Sequence, residues 1–310
     1  MSKKSVKMGV TYAVTILVTL LVVGGIVWYM FDTLLYSEKK DPTAGVQIEQ
    51  MVSGDDYEPS RADSRTLLII IDTEKRQTAS CFLIARFLPV EKQMVFVPLP
   101  TTTKCSVNGT DNSIYEFYRN GGTDMAVKAA ESCMGTSIDH YIRFNESSFN
   151  IAAGIFGGVD YDIPYNLIYS NDATGEETVL KAGRTFLDPE TMRKVITYPN
   201  YSSGEEYRAK CLGVIVADLF NKSINSSFSN HIDDYYNAII NSDIETNITS
   251  YDYNEISDAL KYAAKNTDKA AIFVPASGAE DENGLYAFDA NFVRSLTEWL
   301  KLYSDEETME

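Results

Sequence analysis

The most constraining feature of the sequence is an uncharged apolar run near its N-terminus, from Val10 to Phe31. A helix of this length would extend roughly 33 Å, enough to cross the hydrocarbon core of a bilayer. Lys3, Lys4 and Lys7 precede the run, whereas the charges that follow it are of both signs. The positive-inside rule therefore predicts a single-pass protein of the cell membrane with a cytoplasmic N-terminus and an extracellular main domain.

A cleaved signal peptide is the alternative to a membrane anchor. Signal peptides have an apolar region of about 7–15 residues, followed by small residues at the cleavage site. Here the run is longer and ends in Trp28-Tyr29-Met30-Phe31-Asp32, which is a poor cleavage site. We therefore favour the anchor. It divides the chain into a cytoplasmic tail (1–9), a transmembrane helix (10–31), an extracytoplasmic stalk (32–64), a globular domain (65–303) and an acidic tail (304–310).

Charge and cysteine content restrict the partners and the compartment. The formal net charge of −17 should repel nucleic acids and anionic head groups, so we expect no nucleic-acid partner. Cys81, Cys105, Cys133 and Cys211 all lie in the part predicted to be exported. In an oxidising compartment an even number of cysteines suggests two disulfides, with three possible connectivities. The alternative is that some of them are buried thiols.

Short apolar strands alternate with helical patterns through the main domain. Residues 66–71 are typical of a strand buried on both faces, and residues 81–99 predict a hairpin. Thr123 to Met134 predicts a helix with Thr123 as its N-cap, and Asp188-Pro189-Glu190 is a good helix start. Glu205 to Phe220 is the clearest amphipathic helix. Strands interleaved with helices predict a three-layer α/β domain with a central mixed sheet.

Eight short segments occur in an order that is more informative than any one of them. They are Leu67-Leu68-Ile69-Ile70-Ile71-Asp72, Phe96-Val97-Pro98-Leu99-Pro100, Asn120-Gly121-Gly122, Ile138-Asp139-His140-Tyr141-Ile142, Phe156-Gly157-Gly158-Val159-Asp160-Tyr161, Ala182-Gly183, Leu187-Asp188 and Thr246-Asn247-Ile248-Thr249. In this order the chain resembles the LytR-CpsA-Psr family of bacterial envelope proteins over roughly residues 66–300. The resemblance implies a long apolar pocket for a polyprenyl chain. It also implies transfer of a glycan from a polyprenyl-pyrophosphate carrier to a wall acceptor.

The charged motifs with which the family holds the pyrophosphate are largely replaced in this sequence. The motif before the first hairpin strand is Thr78-Ala79-Ser80-Cys81, the one after the second is Pro100-Thr101-Thr102, and the one before the amphipathic helix is Thr197-Tyr198-Pro199. On that helix the segment is Glu205-Glu206-Tyr207-Arg208-Ala209-Lys210-Cys211-Leu212, in which positions 205, 208, 211 and 212 share a face. Most of the arginines and acids that the resemblance implies are therefore missing.

Three charged residues remain at matched positions. The resemblance implies that Asp72 and Glu205 are candidate ligands of Mg²⁺, should the site be active, and that Arg208 is a candidate phosphate-binding residue. Arg76 and Lys210 could substitute as phosphate-binding residues from neighbouring positions. Each matched residue also has a structural interpretation: Asp72 as an acceptor at a strand end, Glu205 as a partner of the helix dipole, and Arg208 as an ion-pair residue.

The resemblance also bears on the cysteines. Cys81 and Cys211 occupy positions that flank the family's phosphate site, which implies bridges Cys81–Cys211 and Cys105–Cys133. The first of these would close off that site.

The size of the expected loss in reaction rate decides between the functional hypotheses. Loss of one preorganised donor typically costs about 10²–10³ in rate, so several losses should nearly abolish transfer. The sequence therefore predicts a catalytically degraded, lipid-binding or regulatory protein of cell-envelope assembly. Its expected partners are a polyprenyl-linked glycan lipid and envelope assembly proteins. The alternatives are an active glycopolymer phosphotransferase with a rewired site, and a surface receptor or adhesion domain.

Overall fold

A computed structural model describes residues 57–73, 80–170 and 177–300. The predicted cytoplasmic tail, transmembrane helix and acidic tail lie outside these residues, as do most of the predicted stalk and Arg76. The described residues belong to one compact unit, Val52–Glu310. None of the helices found in them combines the length and the apolar character that a membrane span requires.

A six-stranded mixed sheet forms the centre of the domain. Its strands are β1 (Arg65–Ile71), β2 (Cys81–Leu88), β3 (Gln93–Leu99), β6 (His140–Phe144), β11 (Ile244–Thr246) and β12 (Ala271–Phe273). They lie in the order β11-β6-β1-β2-β3-β12. β6 is parallel to β1 and β12 is parallel to β3, while the other neighbouring pairs are antiparallel. Two-stranded pairs join β4 (Lys104–Val107) to β5 (Thr110–Ser113), β7 (Val159–Ile163) to β10 (Gly183–Leu187), β8 (Leu167–Ser170) to β9 (Glu177–Leu180), and β13 (Gly278–Glu280) to β14 (Tyr286–Phe288).

Helices cover both faces of the sheet. They are α1 (Ile114–Met134), α2 (Glu146–Phe156), α3 (Pro189–Ile196), α4 (Gly204–Ser223), α5 (Ser226–Ser229), α6 (Ile232–Ile240), α7 (Ser250–Asn266) and α8 (Ala290–Trp299). Successive residues of β1 point to opposite faces, so Leu68 and Ile70 pack in a core with α1 and α8. Ile71 packs in a second core with α2, α3 and α4. The predicted α/β fold with a central mixed sheet is confirmed.

The predicted helix at Thr123 is only the second half of α1. The helix begins at Ile114, where the side chain of Ser113 accepts a hydrogen bond from the backbone N–H of Glu116. Gly122 interrupts it with a φ of 67° and a ψ of −161°, a conformation that glycine adopts without steric cost. The predicted Asp188 cap is present, because its side chain accepts a hydrogen bond from the N–H of Thr191 at the start of α3.

The last residues of the predicted stalk pack against the domain. A short 3₁₀ helix spans Arg61–Asp63. Tyr57 places its ring 5.4 Å from that of Tyr262 on α7, and its hydroxyl donates to Asp63 at 2.6 Å. Burial and the Asp63 carboxylate raise the pKa of Tyr57 to about 12. The polypeptide therefore joins the domain beside α7.

Candidate functional site

The matched charged residues lie at the edge of the sheet where β1 and β3 end and β2 begins. Asp72 follows β1, Cys81 opens β2, and Thr101 comes shortly after β3. The first turns of α4 bring Glu205 and Arg208 to this same edge. The fold therefore collects the residues at the positions that the resemblance indicated.

Arg208 is committed to an internal ion pair. Its side chain is 3% exposed, and its Nε and Nη2 donate to the two carboxylate oxygens of Glu205. Its Nη1 donates to the Sγ of Cys81 at 3.1 Å and to the carbonyl oxygen of Ile196 at 3.3 Å. Such a bidentate pair uses the fork of the guanidinium, which is the part that binds phosphate in other proteins.

The carboxylate of Glu205 likewise has hydrogen-bond donors within the protein. The hydroxyl of Thr101 donates to its Oε2, and the N–H of Thr101 lies 3.4 Å from the same atom. Burial opposes ionisation, but the hydrogen bonds and charge of Arg208 prevail and lower the pKa of Glu205. The carboxylate is therefore charged at neutral pH and neutralised by its own arginine.

Asp72 belongs to a second network, which the sequence did not predict. Its Oδ2 accepts hydrogen bonds from Arg143 on β6 at 2.9 Å and from the hydroxyl of Tyr118 on α1 at 2.8 Å. Its Oδ1 accepts from the hydroxyl of Ser80 at 3.1 Å. Arg143 also donates to Glu245 on β11 at 2.8 Å. Burial and the Asp72 carboxylate raise the pKa of Tyr118. Asp72 is thus an ion-pair partner at a strand end.

These residues do not form a magnesium site as they stand. The candidate ligands Asp72 and Glu205 each pair with a separate arginine. Across residues 57–73, 80–170 and 177–300, no group of three or more His, Cys, Asp or Glu side chains could hold a metal ion. Mg²⁺ is usually held by one or two carboxylates together with waters, and here each candidate carboxylate is already paired with an arginine. The arrangement therefore does not fit a resident Mg²⁺.

Lys210 does not join the site. It is exposed on α4, two residues beyond Arg208, and residues two apart on a helix do not face the same way. Lys210 therefore does not lie beside Arg208 on the helix face, and its role in binding phosphate stays a prediction. Arg76, the other substitute, lies outside the described residues.

All four cysteines lie in the described residues, and all four are present as thiols. The predicted Cys81–Cys211 bridge is wrong, because Cys81 contacts Arg208 and the Ile196 carbonyl, whereas Cys211 accepts a hydrogen bond from the Tyr161 hydroxyl at 3.1 Å. The predicted Cys105–Cys133 bridge is absent as well, although the two thiols are neighbours and their hydrogen bond raises the pKa of Cys105. Burial raises the pKa of Cys81.

Tyrosine rings pack together in the segment between α3 and α4 and on the first turn of α4. Tyr198 stands where the resemblance implies an arginine motif, and its ring lies 5.1 Å from Tyr169 and 5.2 Å from Tyr201. The ring of Tyr201 lies 5.3 Å from that of Tyr207, and its hydroxyl donates to the Val195 carbonyl at 3.0 Å. Burial raises the pKa of Tyr201. Uncharged aromatic packing has therefore replaced part of the expected cationic surface.

An apolar cavity of about 270 Å³ lies at the opposite end of the sheet. Its lining is almost wholly apolar and includes Leu67, Met94, Phe156, Phe220, Ile256 and Leu260. None of Asp72, Cys81, Thr101, Glu205 and Arg208 lines it. Asp72 is five positions after Leu67, which is roughly 17 Å along an extended strand. Cavity and charged edge are thus separate features.

Aromatic packing lies between the cavity and the charged edge. Phe96 is fully buried on β3, two residues past the cavity-lining Met94 and on the same face of the sheet. Its ring lies 5.0 Å from that of Phe220, which in turn stacks on Phe156 at 4.6 Å. Phe156 and Phe220 line the cavity, and Phe96 packs behind Phe220.

Comparison with known proteins agrees with this architecture. The model of the LytR_cpsA_psr family matches residues 37–301. The polyisoprenyl-teichoic acid–peptidoglycan teichoic acid transferase TagU of Bacillus subtilis is 25% identical over 198 residues, which cover 64% of this chain and 62% of TagU. The chain therefore spans less than two thirds of this relative's length.

Solved structures share the fold at lower identity. B. subtilis TagV superposes with a TM-score of 0.60 at 20% identity, over 77% of this chain and 96% of TagV. A structure of TagT bound to LI-WTA superposes with a TM-score of 0.57 at 16% identity, over 85% of this chain and 98% of TagT.

Proposed function

The chain belongs to the LytR_cpsA_psr family, and from this premise we propose that it binds a polyprenyl-linked lipid of cell-wall glycopolymer assembly without transferring the glycan. In this proposal it is a pseudoenzyme held in the cell membrane by residues 10–31, with its α/β domain on the outer side. Envelope assembly proteins are its expected partners.

The main support for the proposed loss of transferase activity is that the protein itself occupies the hydrogen-bond donors of Arg208. Phosphoryl transfer depends on cations that are free to meet the charge developing on the phosphate. Arg208 makes its hydrogen bonds to Glu205, Cys81 and the Ile196 carbonyl instead. Removing one partner of a buried pair typically costs about 3–5 kcal/mol, so recruiting this arginine to a ligand would be expensive.

Lipid binding is supported by the apolar cavity. Long-chain lipids gain roughly 0.8 kcal/mol for each CH₂ group that leaves water. The apolar lining offers this gain with few polar groups to desolvate. The name of the TagU relative also specifies a polyisoprenyl-linked substrate for that protein.

The proposal is tested on the purified full chain in detergent. Mass spectrometry of extracted lipids should find a polyprenyl species with the wild type, and much less with Ile256→Trp, which narrows the cavity. Ile151→Trp is the matched control, because Ile151 is exposed on α2 and does not line the cavity. Incubation with a polyprenyl-pyrophosphate glycan and Mg²⁺ should release no polyprenyl phosphate. Magnesium-dependent release would overturn the pseudoenzyme assignment, and lack of any lipid would overturn the lipid-binding assignment.

An active phosphotransferase is the second candidate. It is favoured by the name of TagU and by Lys75 and Arg76, which stand in the segment directly after Asp72 in sequence. If the release assay is positive, the double substitution Lys75→Ala/Arg76→Ala should abolish it, whereas Lys210→Ala should not. Co-purified polyprenyl lipid would also count against the alternative of a surface receptor or adhesion domain.

A further inference from the structure

We infer that the short helix α6 is a lid over the apolar cavity, and that Tyr253 on α7 is the latch that holds this lid in place. A ligand enters the cavity when α6 swings away from α7. The motion of the lid does not depend on the identity of the ligand, whereas the uptake assay below rests on the proposed lipid binding.

The size of the cavity is the first reason to expect a moving wall. Its volume is about 270 Å³. Sites for drug-sized molecules usually have about 300–1,000 Å³, and a polyprenyl chain is longer than such molecules. A ligand of this length therefore enters only if one wall of the cavity moves outward.

Most walls of the cavity are fixed by the rest of the domain. Leu67 lies on β1, which pairs with β2 and β6, and Met94 lies on β3, which pairs with β2 and β12. Moving either strand would break backbone hydrogen bonds on both of its sides. The helices α2, α4 and α7 bury four, eight and four residues, respectively. These walls cannot move without disrupting the core.

The helix α6 is the least anchored wall. Of its nine residues, all of which the structure describes, Ile232 alone is buried. Four of its residues, at the spacing of one helix face, line the cavity: Ile232, Tyr235, Tyr236 and Ile239. A nine-residue helix with so few buried contacts is marginally stable, and local opening begins at such segments.

Both neighbours of α6 in the chain are fixed, which confines the motion to this helix. On α5, which precedes it, the hydroxyl of Ser229 donates to the carbonyl oxygen of Lys261 on α7 at 2.8 Å. The strand β11, which follows it, pairs with β6 in the central sheet. Residues 230–231 and 241–243 connect α6 to these two elements. Rotation at the two short connections would swing α6 as one unit.

Tyr253 joins the lid to α7 in two ways. Its ring stacks on that of Tyr236, with the centroids 3.8 Å apart and an interplanar angle of 6°. Its hydroxyl donates to Oδ1 of Asp233 at 2.5 Å, and the Nζ of Lys261 lies 2.8 Å from Oδ2 of the same carboxylate. Tyr253 also lines the cavity, so the latch lies at the boundary that a ligand would cross.

One polar atom favours the open position of the lid. The hydroxyl of Tyr236 is buried and has no hydrogen-bond partner within the part of the chain that the structure describes. A buried hydroxyl without a partner is unfavourable, and this one could bond to water once α6 turns outward. The unsatisfied hydroxyl therefore lowers the free energy of opening.

Hydrogen exchange of the full chain in detergent, resolved by peptide mass spectrometry, measures the opening of the lid. Tyr253→Phe keeps the stacked ring and removes the hydroxyl. We therefore expect the amides of 232–240 to exchange about 3–10-fold faster, and those of 204–223 to be unchanged. Asp233→Asn should have a similar effect from the other side of the latch. Tyr251→Phe is the matched control, because Tyr251 is 71% exposed on the same helix and does not line the cavity.

Uptake of a deuterium-labelled polyprenyl phosphate tests whether the lid is the entrance. The lipid is added to the full chain in detergent, and mass spectrometry of the recovered protein follows its incorporation with time. If opening of α6 precedes entry, Tyr253→Phe should raise the rate of uptake by the same factor of about 3–10, because the open state is more populated. Tyr251→Phe should leave the rate unchanged.

The other outcomes distinguish the lid from the proposed function. Equal exchange of 232–240 in the wild type and Tyr253→Phe would overturn the latch. If Tyr253→Phe accelerates exchange throughout the domain, Asp233→Asn decides, since the Asp233 side chain is 58% exposed: acceleration confined to 232–240 supports the latch, and any other result overturns it.

Faster exchange of α6 without faster uptake would overturn α6 as the entrance. If no variant takes up the lipid although Tyr253→Phe accelerates exchange of α6, the proposed lipid binding is overturned and the movable lid is supported.

Discussion

The sharpest consequence of the buried Glu205–Arg208 pair concerns stability. Arg208→Met removes the cation but keeps most of the aliphatic volume. It removes the guanidinium from Glu205, whose side chain is 22% exposed and keeps its hydrogen bonds from Thr101, and from the Ile196 carbonyl, which keeps the Cys81 thiol as a donor. Breaking one side of a buried pair costs about 3–5 kcal/mol, and the remaining hydrogen bonds from Thr101 and partial solvent access should reduce this to about 2–4 kcal/mol.

The double substitution Glu205→Leu/Arg208→Met separates the free energy of the ion pair from the cost of removing one of its two residues. Replacing both charges by apolar groups of similar volume is often neutral, so we expect the double variant to recover to within about 1 kcal/mol of the wild type. Urea unfolding followed by circular dichroism measures each free energy of unfolding. Lys194→Met is the control, because Lys194 pairs with Glu190 on the exposed side of α3, and such a pair contributes about 0.3–0.5 kcal/mol.

The double-mutant cycle can refute the reasoning in two ways. If Arg208→Met costs no more than Lys194→Met, Arg208 is not held internally and remains available to a phosphate. If the double variant is no more stable than Arg208→Met, the cost comes from lost packing and not from an unpaired carboxylate.

Two further predictions follow from the same geometry. Because Arg208 lowers the pKa of Glu205 against the opposing effect of burial, the stabilisation by this pair is complete above the unfolded-state pKa of about 4.3 and is lost as the pH falls through the lower folded-state value. In urea unfolding, the wild type should therefore have a higher free energy of unfolding than Glu205→Gln at neutral pH and should lose this advantage as the pH falls below about 4.3. If the free energies of the two proteins change with pH in parallel in that range, the pairing is contradicted. For the cysteines, a thiol reagent should detect four thiols in the denatured chain without reductant but rapid reaction of Cys133 only in the native chain, because the other three are buried. If the reagent detects no thiols in the denatured chain, the two predicted disulfides are present and the assignment of four thiols is wrong.

The fold was predictable because its signals are local. The buried run of β1, the β2–β3 hairpin and the Asp188-Pro189 start of α3 each depend on neighbouring residues only. The start of α1 was missed although Ser113 and Glu116 form a readable N-terminal signal. The pair Gly121-Gly122 argues against a continuous helix, and in the structure Gly122 does break the helical geometry.

The site was only half predictable, because its contacts depend on tertiary structure. Spacing along α4 places Glu205 and Arg208 side by side, yet it does not show that Arg208 points inward to Cys81, 127 residues away in sequence. Arg143 could not be assigned, since only the parallel pairing of β6 with β1, in which Ile70 is opposite Arg143, brings it to Asp72. The cysteine pairing failed for the same reason.

The inward turn of Arg208 follows from the loss of the other charges at this edge. A cluster of cations repels itself and favours a bound anion, but a single arginine beside one carboxylate reaches its lowest energy as a closed pair. The hydroxyl of Thr101 adds a neutral donor to Glu205, which stabilises that pair further. Restoring one arginine would therefore not restore a phosphate site, because the new cation would have to compete with Arg208 for Glu205. In the structure the Glu205–Arg208 pair is closed on itself, and our proposal therefore assigns the lipid to the apolar cavity and not to the charged edge.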